Sequence, residues 1–344
     1  MSALLLQTKS EGSMGPAILL VDVASANREG LKSFLESQKC DVEVATDGES
    51  ALRTCLQIQP DLVLLYNYNT VPDIGSFEIC RQIRKDPLNQ LTPVALVKPS
   101  PDQWDIHRGR EAGAMDVWAT PPSPWDALGP IQTLLRLKVY MDEQAKSAVF
   151  SLARSVDSKQ NMRNGHSDRL VIYAQQLGES LGFGEEDLQE LHIASWLHDI
   201  GKINVPESIL FKPGPLNAEE TRIMREHPVI GEEICAPLKS LRPILPVIRH
   251  HHEKMDGSGY PDGLCGEAIP LKARILQVAD IYDALTTDRP YRGALPPEEA
   301  LQTLFSEAEK GWLDATLVWK FSRICRSGEY LPARGRTMLA SYYA

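Results

Sequence analysis

The sequence lacks the features that mark membrane proteins, disulfide-rich domains and general nucleic-acid binders. No uninterrupted apolar run approaches the roughly 18 residues of a membrane span, and the N-terminus has no basic segment followed by an apolar stretch, so we expect a cytoplasmic protein with no membrane contact. The six cysteines are dispersed without any C-x-x-C pair, which argues against a disulfide frame or a zinc ribbon. A net charge of −10 disfavours DNA as a partner, because phosphate backbones bind basic faces.

The remaining composition is that of a globular protein with one uneven feature. A length of 344 residues predicts two or three domains, and contents of 43% hydrophobic and 24% charged residues are ordinary. Seven of the eight histidines lie between His166 and His252. Because histidine titrates near neutral pH and is the commonest metal ligand, this clustering directs the search for chemistry to the C-terminal half.

Short apolar strands alternate with helical patterns in the first part of the chain. The predicted strands are 17–21, 42–45, 62–65, 94–97 and 116–118, and the predicted helices between them are 28–38, 49–58, 74–85 and 104–112. Alternation at this spacing predicts an α/β doubly wound parallel sheet. A further helical pattern over 125–156 predicts that the last helix of this domain continues as a connector.

The second part of the chain is a succession of helical patterns with strand signals absent over long stretches. Helices are predicted at 167–181, 185–200, 217–225, 228–235, 241–250, 270–286, 297–309 and 314–326, which indicates an all-α bundle. Within the last of these regions, Trp312, Trp319 and Phe321 are most simply core residues. We predict a flexible N-terminus 1–16, an α/β domain 17–138, a helical linker 139–150, an α-helical domain 151–330 and a tail 331–344.

A His198-Asp199 pair follows an apolar run and is followed by Gly201 and Lys202. Alone it is weak evidence, since chance produces such dipeptides often. Other potential ligands, however, fall at or near predicted helix ends, namely His166, His227, His251, His252 and Asp280. Together they form an N/O donor set for two first-row transition metals. Asp199 could bridge two ions about 3.5–4 Å apart that share a hydroxide, and Lys202 could meet a phosphate oxygen.

Four other polar residues have simpler interpretations. His107 belongs to the first domain and is most simply a surface residue. His192 precedes His198 by six residues and faces another side of its helix, which favours a core or supporting role. His250, His251 and His252 are adjacent, so their three side chains cannot all point at one metal site, which disfavours His250 as a ligand. Asp283 lies three residues after Asp280, where it could support a ligand, face a substrate or accept an N–H.

Residues 17–138 resemble a response-regulator receiver domain in framework more than in chemistry. Residues 18–22 read ILLVD and residues 110–114 read REAGA. The resemblance places the phosphoacceptor aspartate at Tyr66, so no phosphoacceptor is expected. A receiver has an acidic pair after its first strand, but here Asp22 is followed by Val23. Lys98 stands where the family has its switch threonine, and Thr120 stands where it has a lysine before a proline. We therefore predict a pseudo-receiver that acts as an interaction or dimerisation module.

The second domain resembles the HD-GYP family of the HD phosphohydrolase superfamily, through several long motifs in one order. These are GH at 165–166, LHDIGKI at 197–203, KPGPL at 212–216, HPVIG at 227–231, HHEKMDGSGYPDG at 251–263 and ADIYDALTTDRPYR at 279–292. The resemblance implies a cyclic di-GMP phosphodiesterase in bacterial second-messenger signalling. A metal-bridging hydroxide in a binuclear centre would open the ring to a linear dinucleotide, with GMP as a further product.

The resemblance also implies roles for individual residues. The positions that match family metal ligands are His166, His198, Asp199, His227, His251, His252 and Asp280. Lys202 matches the phosphate-binding lysine, and three positions match residues near the nucleotide: Asp283, Arg289 and Arg292. Tyr260 would stack on a base or, with loop 256–263, contact a diguanylate cyclase (GGDEF-type) domain. The expected cofactor is two divalent transition metal ions, iron first and manganese next.

Two departures from the family pattern limit these expectations. Trinuclear members have a glutamate four residues before the first histidine ligand, where this chain has Met162, and an acidic residue often found two positions earlier falls at Gln160. We therefore predict two metals rather than three. Two alternatives stay open: a weakly active or inactive sensor or scaffold that works through protein contacts, and an HD phosphohydrolase acting on another nucleotide. The sequence does not define the oligomeric state.

Overall fold

A computed structural model of the chain describes residues 15–22, 26–66, 74–98, 101–119, 123–159, 165–288 and 293–327. Within these ranges, no helix combines the length and the apolar character needed to cross a membrane. The chain divides into two compact units, and along the chain the division falls between Lys146 and Ser147. This point lies within the linker predicted at 139–150.

The first unit contains a five-stranded sheet. Its strands are β1 (Ala17–Val21), β2 (Asp41–Ala45), β3 (Leu62–Tyr66), β4 (Val94–Lys98) and β5 (Asp116–Ala119), in the spatial order β2-β1-β3-β4-β5. All four strand pairings are parallel. The prediction of a doubly wound parallel sheet is confirmed, and the order reverses at β1 and β3, where such folds place their functional residues.

Helices cover the sheet because its strands are apolar on both faces. They are α1 (Ala26–Ser37), α2 (Gly48–Ile58), α3 (Ser76–Lys85), α4 (Gln103–Glu111) and the long α5 (Pro124–Lys159). Alternate residues of β1 enter two separate cores, with Leu19 and Val21 in one and Ile18 and Leu20 in the other. The helical pattern predicted over 125–156 lies within α5, which is one continuous helix, and its role as a connector stays a prediction.

The residues at the carboxyl ends of the strands carry no receiver chemistry. Tyr66 ends β3 with 7% of its surface exposed, and Asp22, which follows β1, is 1% exposed. Burial raises the pKa of the Tyr66 hydroxyl, and the nearby Asp22 carboxylate raises it further. Lys98, at the end of β4, forms an ion pair with Asp105 of α4. A neutral phenol therefore occupies the position where a receiver has its aspartate.

The second unit is helical, as predicted. Its helices are α6 (His166–Ser180), α7 (Glu185–Leu197), α8 (Glu207–Leu210), α9 (Ala218–Met224), α10 (His227–Cys235), α11 (Leu245–His250), α12 (Leu271–Thr286), α13 (Pro297–Glu309) and α14 (Ala315–Ser327). Phe321 is fully buried, as expected. The prediction that Trp319 belongs to the core is wrong, because it is 52% exposed and lies beneath the Arg323 guanidinium on the outer face of α14.

A close backbone contact joins the segment after α7 to α10. The short 3₁₀ helix Ile200–Asn204 begins directly after Asp199. A Cβ on Gly201 would lie 1.9 Å from the His227 carbonyl oxygen and 2.6 Å from the Gly231 nitrogen. Only a glycine permits this approach, because the obstructing atoms are backbone. Gly201 thereby sets how near Asp199 can come to His227.

We predict that Gly201→Ala lowers the free energy of unfolding of the second unit by about 2–4 kcal/mol, because the methyl group forces two backbone segments apart. Chemical denaturation followed by far-UV circular dichroism measures the effect. Gly184→Ala is the matched control, since its Cβ would meet nothing within 4 Å. It should cost no more than about 1 kcal/mol. Equal stability of the two variants would contradict the proposed packing constraint.

Candidate metal centre

The seven predicted ligands lie at helix termini or on one helix of the second unit. His166 and His227 are the first residues of α6 and α10, His198 caps α7, and His251 caps α11. His252 and Asp199 follow two of these positions directly, and Asp280 lies on α12. Within a helix, consecutive side chains point in different directions. At a helix terminus the backbone leaves the helical geometry, so consecutive residues can direct their side chains to one point.

The structure brings these seven side chains into two neighbouring groups. One group contains Asp199, His227, His251 and His252, and the other contains His166, His198 and Asp280. Within each group, one potential ligand atom from every residue lies within 4.8 Å of the others. Asp280 and His252 are partly exposed, whereas the other five residues are buried.

The two oxygens of Asp199 face different groups. Oδ1 lies 3.2 Å from Nε2 of His227 and 3.9 Å from Nε2 of His251. Oδ2 lies 3.4 Å from Nε2 of His198, which belongs to the other group, and 2.5 Å from Nζ of Lys202. Asp199 thus belongs to one group and also lies beside His198 of the other, which is the arrangement that a bridging carboxylate requires.

Three of the histidine rings are oriented by their own helical turn. In each, Nδ1 donates to the carbonyl oxygen three residues earlier: His198 to Ser195 at 2.9 Å, His227 to Met224 at 2.8 Å and His251 to Ile248 at 2.7 Å. A proton on Nδ1 leaves Nε2 with a lone pair in the neutral ring. These hydrogen bonds therefore point three Nε2 lone pairs into the centre.

His166 obtains the same orientation from a carboxylate on another helix. Because His166 begins α6, it has no carbonyl of a preceding helical turn, and its Nδ1 instead lies 2.6 Å from Asp283 Oδ2. Arg169 holds that carboxylate, with Nε 2.5 Å from Oδ1 and Nη2 3.0 Å from Oδ2. Nη2 of Arg169 also donates to Thr287 Oγ1 at 3.0 Å. Asp283 is therefore an acceptor behind a candidate ligand.

Of the roles that the sequence left open for Asp283, this location favours support of a ligand, and the position near the nucleotide that the resemblance implies stays a prediction. The residue is 1% exposed, and both of its carboxylate oxygens have partners on the side of α6. The physical reason is the i, i+3 spacing of Asp280 and Asp283 on α12, which places one carboxylate at the centre and the other one turn further along the helix. His166 lies between them, 3.6 Å from Asp280 Oδ1 through Nε2.

The electrostatics of the centre favour neutral imidazoles at His251 and His252 beside an ionised Asp199 carboxylate. Burial lowers the pKa of His251 and of His252 well below the usual range, and neighbouring imidazoles lower both further. Burial opposes ionisation of Asp199, but Lys202 and His198 outweigh it and hold the pKa of that carboxyl well below its usual range. Burial likewise opposes a charge on His198, yet Asp199 raises the pKa of His198 to about 9. The ionised Asp199 carboxylate thus favours a positively charged ion in the space between the imidazole rings.

Three buried atoms show that the donor set fits a metal. Nε2 of His166, Nε2 of His198 and Oδ1 of Asp199 have no hydrogen-bond partner among the residues that the structure describes. A buried polar atom without a partner costs free energy, so such atoms collect where a ligand or an ion satisfies them. Imidazole nitrogens with carboxylate oxygens suit divalent first-row metals. The described residues therefore form candidate metal-binding clusters.

The loop that follows His251 and His252 is held in place by hydrogen bonds to a buried carboxylate. Glu253 is fully buried, and its oxygens accept N–H groups of Asp262, Gly263 and Leu264 at 2.7, 3.1 and 3.1 Å. A Cβ on Gly259 would lie 2.3 Å from the Lys254 nitrogen, so the loop folds tightly onto its own start. This anchoring holds Tyr260, whose ring stacks on His252 with centroids 4.9 Å apart.

The other histidines lie outside the two groups. His250 forms a separate cluster with Glu253 and Asp262. The Glu253 oxygens already accept three backbone N–H groups, and both Asp262 oxygens accept N–H groups of Arg249 at 2.6 and 2.8 Å. This cluster therefore holds the loop together. Four residues singled out in the sequence, Gln160, Met162, Arg289 and Arg292, lie outside the described residues.

Sequence reasoning missed the residues that support the centre from behind. Arg169 could have been found from its i, i+3 spacing to His166, but nothing local pairs it with Asp283. Asp157 of α5 accepts a hydrogen bond from the Ser167 hydroxyl. Burial raises the pKa of Asp157, while Ser167, His198 and His166 lower it, so a further carboxylate lies within the field of the histidines. No sequence motif marks either residue.

Comparison with known proteins identifies both units. The sequence model of the response regulator receiver domain matches residues 18–124, and that of the HD domain matches residues 151–317. The chain is similar to the cyclic di-GMP phosphodiesterase response regulator RpfG of Xanthomonas campestris pv. campestris, with 31% identity over 322 residues, which cover 86% of this chain and 85% of that protein.

Two proteins of Vibrio cholerae serotype O1 extend the comparison. A probable cyclic di-GMP phosphodiesterase is 30% identical over 342 residues, covering 88% of this chain and 77% of its own length. The 3′3′-cGAMP-specific phosphodiesterase 2 is 38% identical over 181 residues, which cover 52% of this chain and 34% of that protein. The first alignment includes both units. With its HD domain, its histidine motifs and its receiver domain, the chain belongs to the HD-GYP family of receiver-linked HD-domain proteins.

Proposed function

We propose that the chain is a metal-dependent phosphodiesterase that hydrolyses cyclic di-GMP at a binuclear centre. The observation that carries the proposal is Asp199, whose two oxygens face two separate sets of donor atoms. A shared carboxylate between two N/O donor sets supports two-metal hydrolysis of a phosphate ester. Lys202 beside it provides a cation where a phosphate oxygen can bind.

The choice of substrate rests on relatives that align with both the receiver and the HD domain of this chain. RpfG and the probable cyclic di-GMP phosphodiesterase of Vibrio cholerae both align across the receiver and the HD domain. Cyclic di-GMP is a dianion with two phosphodiester bonds. A protein of net charge −10 can bind it only where metals and nearby cations reverse the local sign, and the centre with Lys202 is such a place.

Each residue of the centre has a separate task in this function. When bound, two divalent cations lower the pKa of water and withdraw charge from phosphoryl oxygens. Asp199 links the two donor groups, and His166, His198, His227, His251, His252 and Asp280 complete them. Asp283 keeps the His166 proton on Nδ1, which leaves Nε2 free to ligate. Lys202 then pairs with a phosphate oxygen, and iron is the proposed metal, with manganese next.

A second candidate substrate is 3′3′-cGAMP. The relative named as specific for it is 38% identical to this chain, although the chain spans about a third of that protein. The two cyclic dinucleotides share both phosphodiesters and differ in one base. The metal centre acts on the phosphodiester and does not read the base, so the choice between them depends on residues around the centre.

The partner proposed for loop 256–263 is a diguanylate cyclase (GGDEF-type) domain. Asp256 and Ser258 are exposed, and Asp256 Oδ1 accepts the Ser258 N–H at 2.9 Å, which gives the loop a defined outer turn. The pseudo-receiver is proposed to act as an interaction or dimerisation module, since Tyr66 replaces the phosphoacceptor. These two roles concern regulation and are independent of turnover.

The function is tested by turnover on protein purified without oxygen and loaded with iron or manganese. We expect cyclic di-GMP to be converted to a linear product, and a panel with 3′3′-cGAMP and mononucleotides ranks the substrates by kcat/KM. Retained binding of cyclic di-GMP without product at any metal loading would instead favour the scaffold alternative. Preferred cleavage of a mononucleotide would contradict the cyclic dinucleotide assignment.

We predict that Asp199→Ala removes both metals, because it deletes the carboxylate whose two oxygens face the two groups. Asp199→Asn keeps the shape and one oxygen and should retain one metal at most. Lys202→Ala should keep two metals and lower kcat/KM about 10- to 100-fold, which corresponds to about 1.4–2.8 kcal/mol of transition-state stabilisation. Elemental analysis per chain, followed by kinetics, checks both. Two metals retained by Asp199→Ala would rule out the bridge.

We also predict that Asp283→Ala weakens metal binding at the group of His166, His198 and Asp280 by about 10- to 100-fold, because His166 loses the acceptor that orients it. Asp283→Asn should lose less, since an amide oxygen can still accept the Nδ1 proton. Titration of metal into the apoprotein, with stoichiometry as the readout, measures this effect.

A matched control separates orientation from general destabilisation. Asp314 pairs with Arg274 at 2.8 Å in the same unit, and no histidine bonds to its carboxylate. Asp314→Ala should therefore leave metal affinity unchanged. Equal losses of metal affinity in Asp283→Ala and Asp314→Ala would show that Asp283 acts only through the stability of the fold.

A further inference from the structure

Arg225 lies at the edge of the metal centre and was not marked by any motif. It follows α9 and precedes His227 by two residues. Its side chain is exposed, and its guanidinium carbon lies 5.1 Å from the centroid of the Tyr260 ring. The geometry is that of a cation–π contact, which holds an arginine in place without using its N–H donors.

Tyr260 connects Arg225 to the centre. Its ring stacks on His252 at 4.9 Å between centroids, with 28° between the planes. His252, Tyr260 and Arg225 thus form a continuous column from a candidate ligand to the open edge.

Among the residues that the structure describes, no carboxylate pairs with the guanidinium of Arg225, unlike that of its neighbour Arg222. Arg222 pairs with Glu219 at 2.7 Å and with Glu226 at 2.5 Å. Across the described ranges, Arg225 forms neither an ion pair nor a side-chain hydrogen bond. An oriented arginine with all its N–H groups available, in a chain of net charge −10, is a ready binding group for an anion.

We infer that Arg225 binds the phosphodiester of the cyclic dinucleotide that is not being cleaved. This inference rests on the proposed function, in which the metals and Lys202 take the phosphodiester that reacts. The second phosphodiester carries the same charge, lies on the opposite side of the ring and requires a cation outside the metal cluster. Arg225 lies outside the metal cluster and is linked to it by two ring contacts, Tyr260 to His252 at 4.9 Å and Arg225 to Tyr260 at 5.1 Å.

The same contacts favour a phosphate over a nucleobase. Tyr260 is already engaged by a stacked imidazole and by a guanidinium, so a base would have to displace one of them to stack on its ring. The N–H edge of Arg225 is the part of the column that remains available, and its fork of donors matches phosphate oxygens. Arg225 is therefore a substrate-binding residue in this scheme, and Tyr260 is the residue that positions it.

The test compares Arg225→Ala, Arg225→Lys and Arg222→Ala in the metal-loaded full chain, with cyclic di-GMP as the probe. We expect Arg225→Ala to raise Kd and KM about tenfold or more, because it removes charge-assisted hydrogen bonds. Its kcat should stay within about twofold of the wild type, since the contact exists equally before and during reaction. The salt dependence of Kd should become shallower.

The two other variants identify the group that is bound. Arg225→Lys should recover only part of the loss in Kd, since an ammonium still binds phosphate as a point charge but lacks the planar fork of donors. Arg222→Ala should change Kd less than about twofold, because exposed ion pairs contribute little. If Arg225→Lys bound cyclic di-GMP no better than Arg225→Ala, the positive charge of Arg225 would not be what binds the ligand, and the inference would be overturned.

The remaining outcomes separate this inference from the proposed function. Wild-type turnover with unchanged Kd and KM in Arg225→Ala would overturn the role of Arg225 alone. Equal losses of affinity for cyclic di-GMP in Arg225→Ala and Arg222→Ala would also overturn it, since the weakening would then come from the lower positive charge of the surface. A wild-type protein that neither binds nor cleaves cyclic di-GMP would overturn both proposals together.

Discussion

The second unit is organised around a buried carboxylate that must be compensated by positive charge. Asp199 is 7% exposed and is ionised against the effect of burial by Lys202 and His198. Its position depends on the close approach of the 3₁₀ helix to α10 at Gly201, where backbone atoms leave no space for a side chain. A packing constraint between two backbones thus sets the distance between Asp199 and His227, and the chemistry of the centre follows from that distance.

The orientation of the histidine rings illustrates how helix ends build such a centre. At His198, His227 and His251 the carbonyl three residues earlier accepts the Nδ1 proton, so the helical turn itself selects the tautomer. His166 begins its helix and cannot use this device. Asp283, held by Arg169, replaces the missing carbonyl from a different helix. The same chemical requirement is met by local geometry in three cases and by tertiary packing in one.

The first unit has the receiver framework, and we predict that it lacks the phosphoryl chemistry, since Tyr66 occupies the phosphoacceptor position. Its sheet has the order and parallel pairing of the fold, and its apolar strands form cores on both faces. A framework of this kind depends on buried aliphatic residues, whereas phosphoryl transfer depends on a few polar groups at strand ends. Tyr66 and Lys98 could therefore replace those groups while the packing persisted. Fold and chemistry are separable here because they use different residues.

The sequence by itself determined the two fold classes, most of the helices of the second unit and the set of seven candidate ligands. Each of these depends on local periodicity or on motif spacing, which a single segment carries. Only the tertiary structure decided that the two Asp199 oxygens face different donor groups, that Asp283 lies behind His166 and that Trp319 is exposed. Arg225 likewise became notable only through its contact with Tyr260. The physical reason is that a residue's spacing defines its face on one helix, whereas its partner is chosen by how separate helices pack.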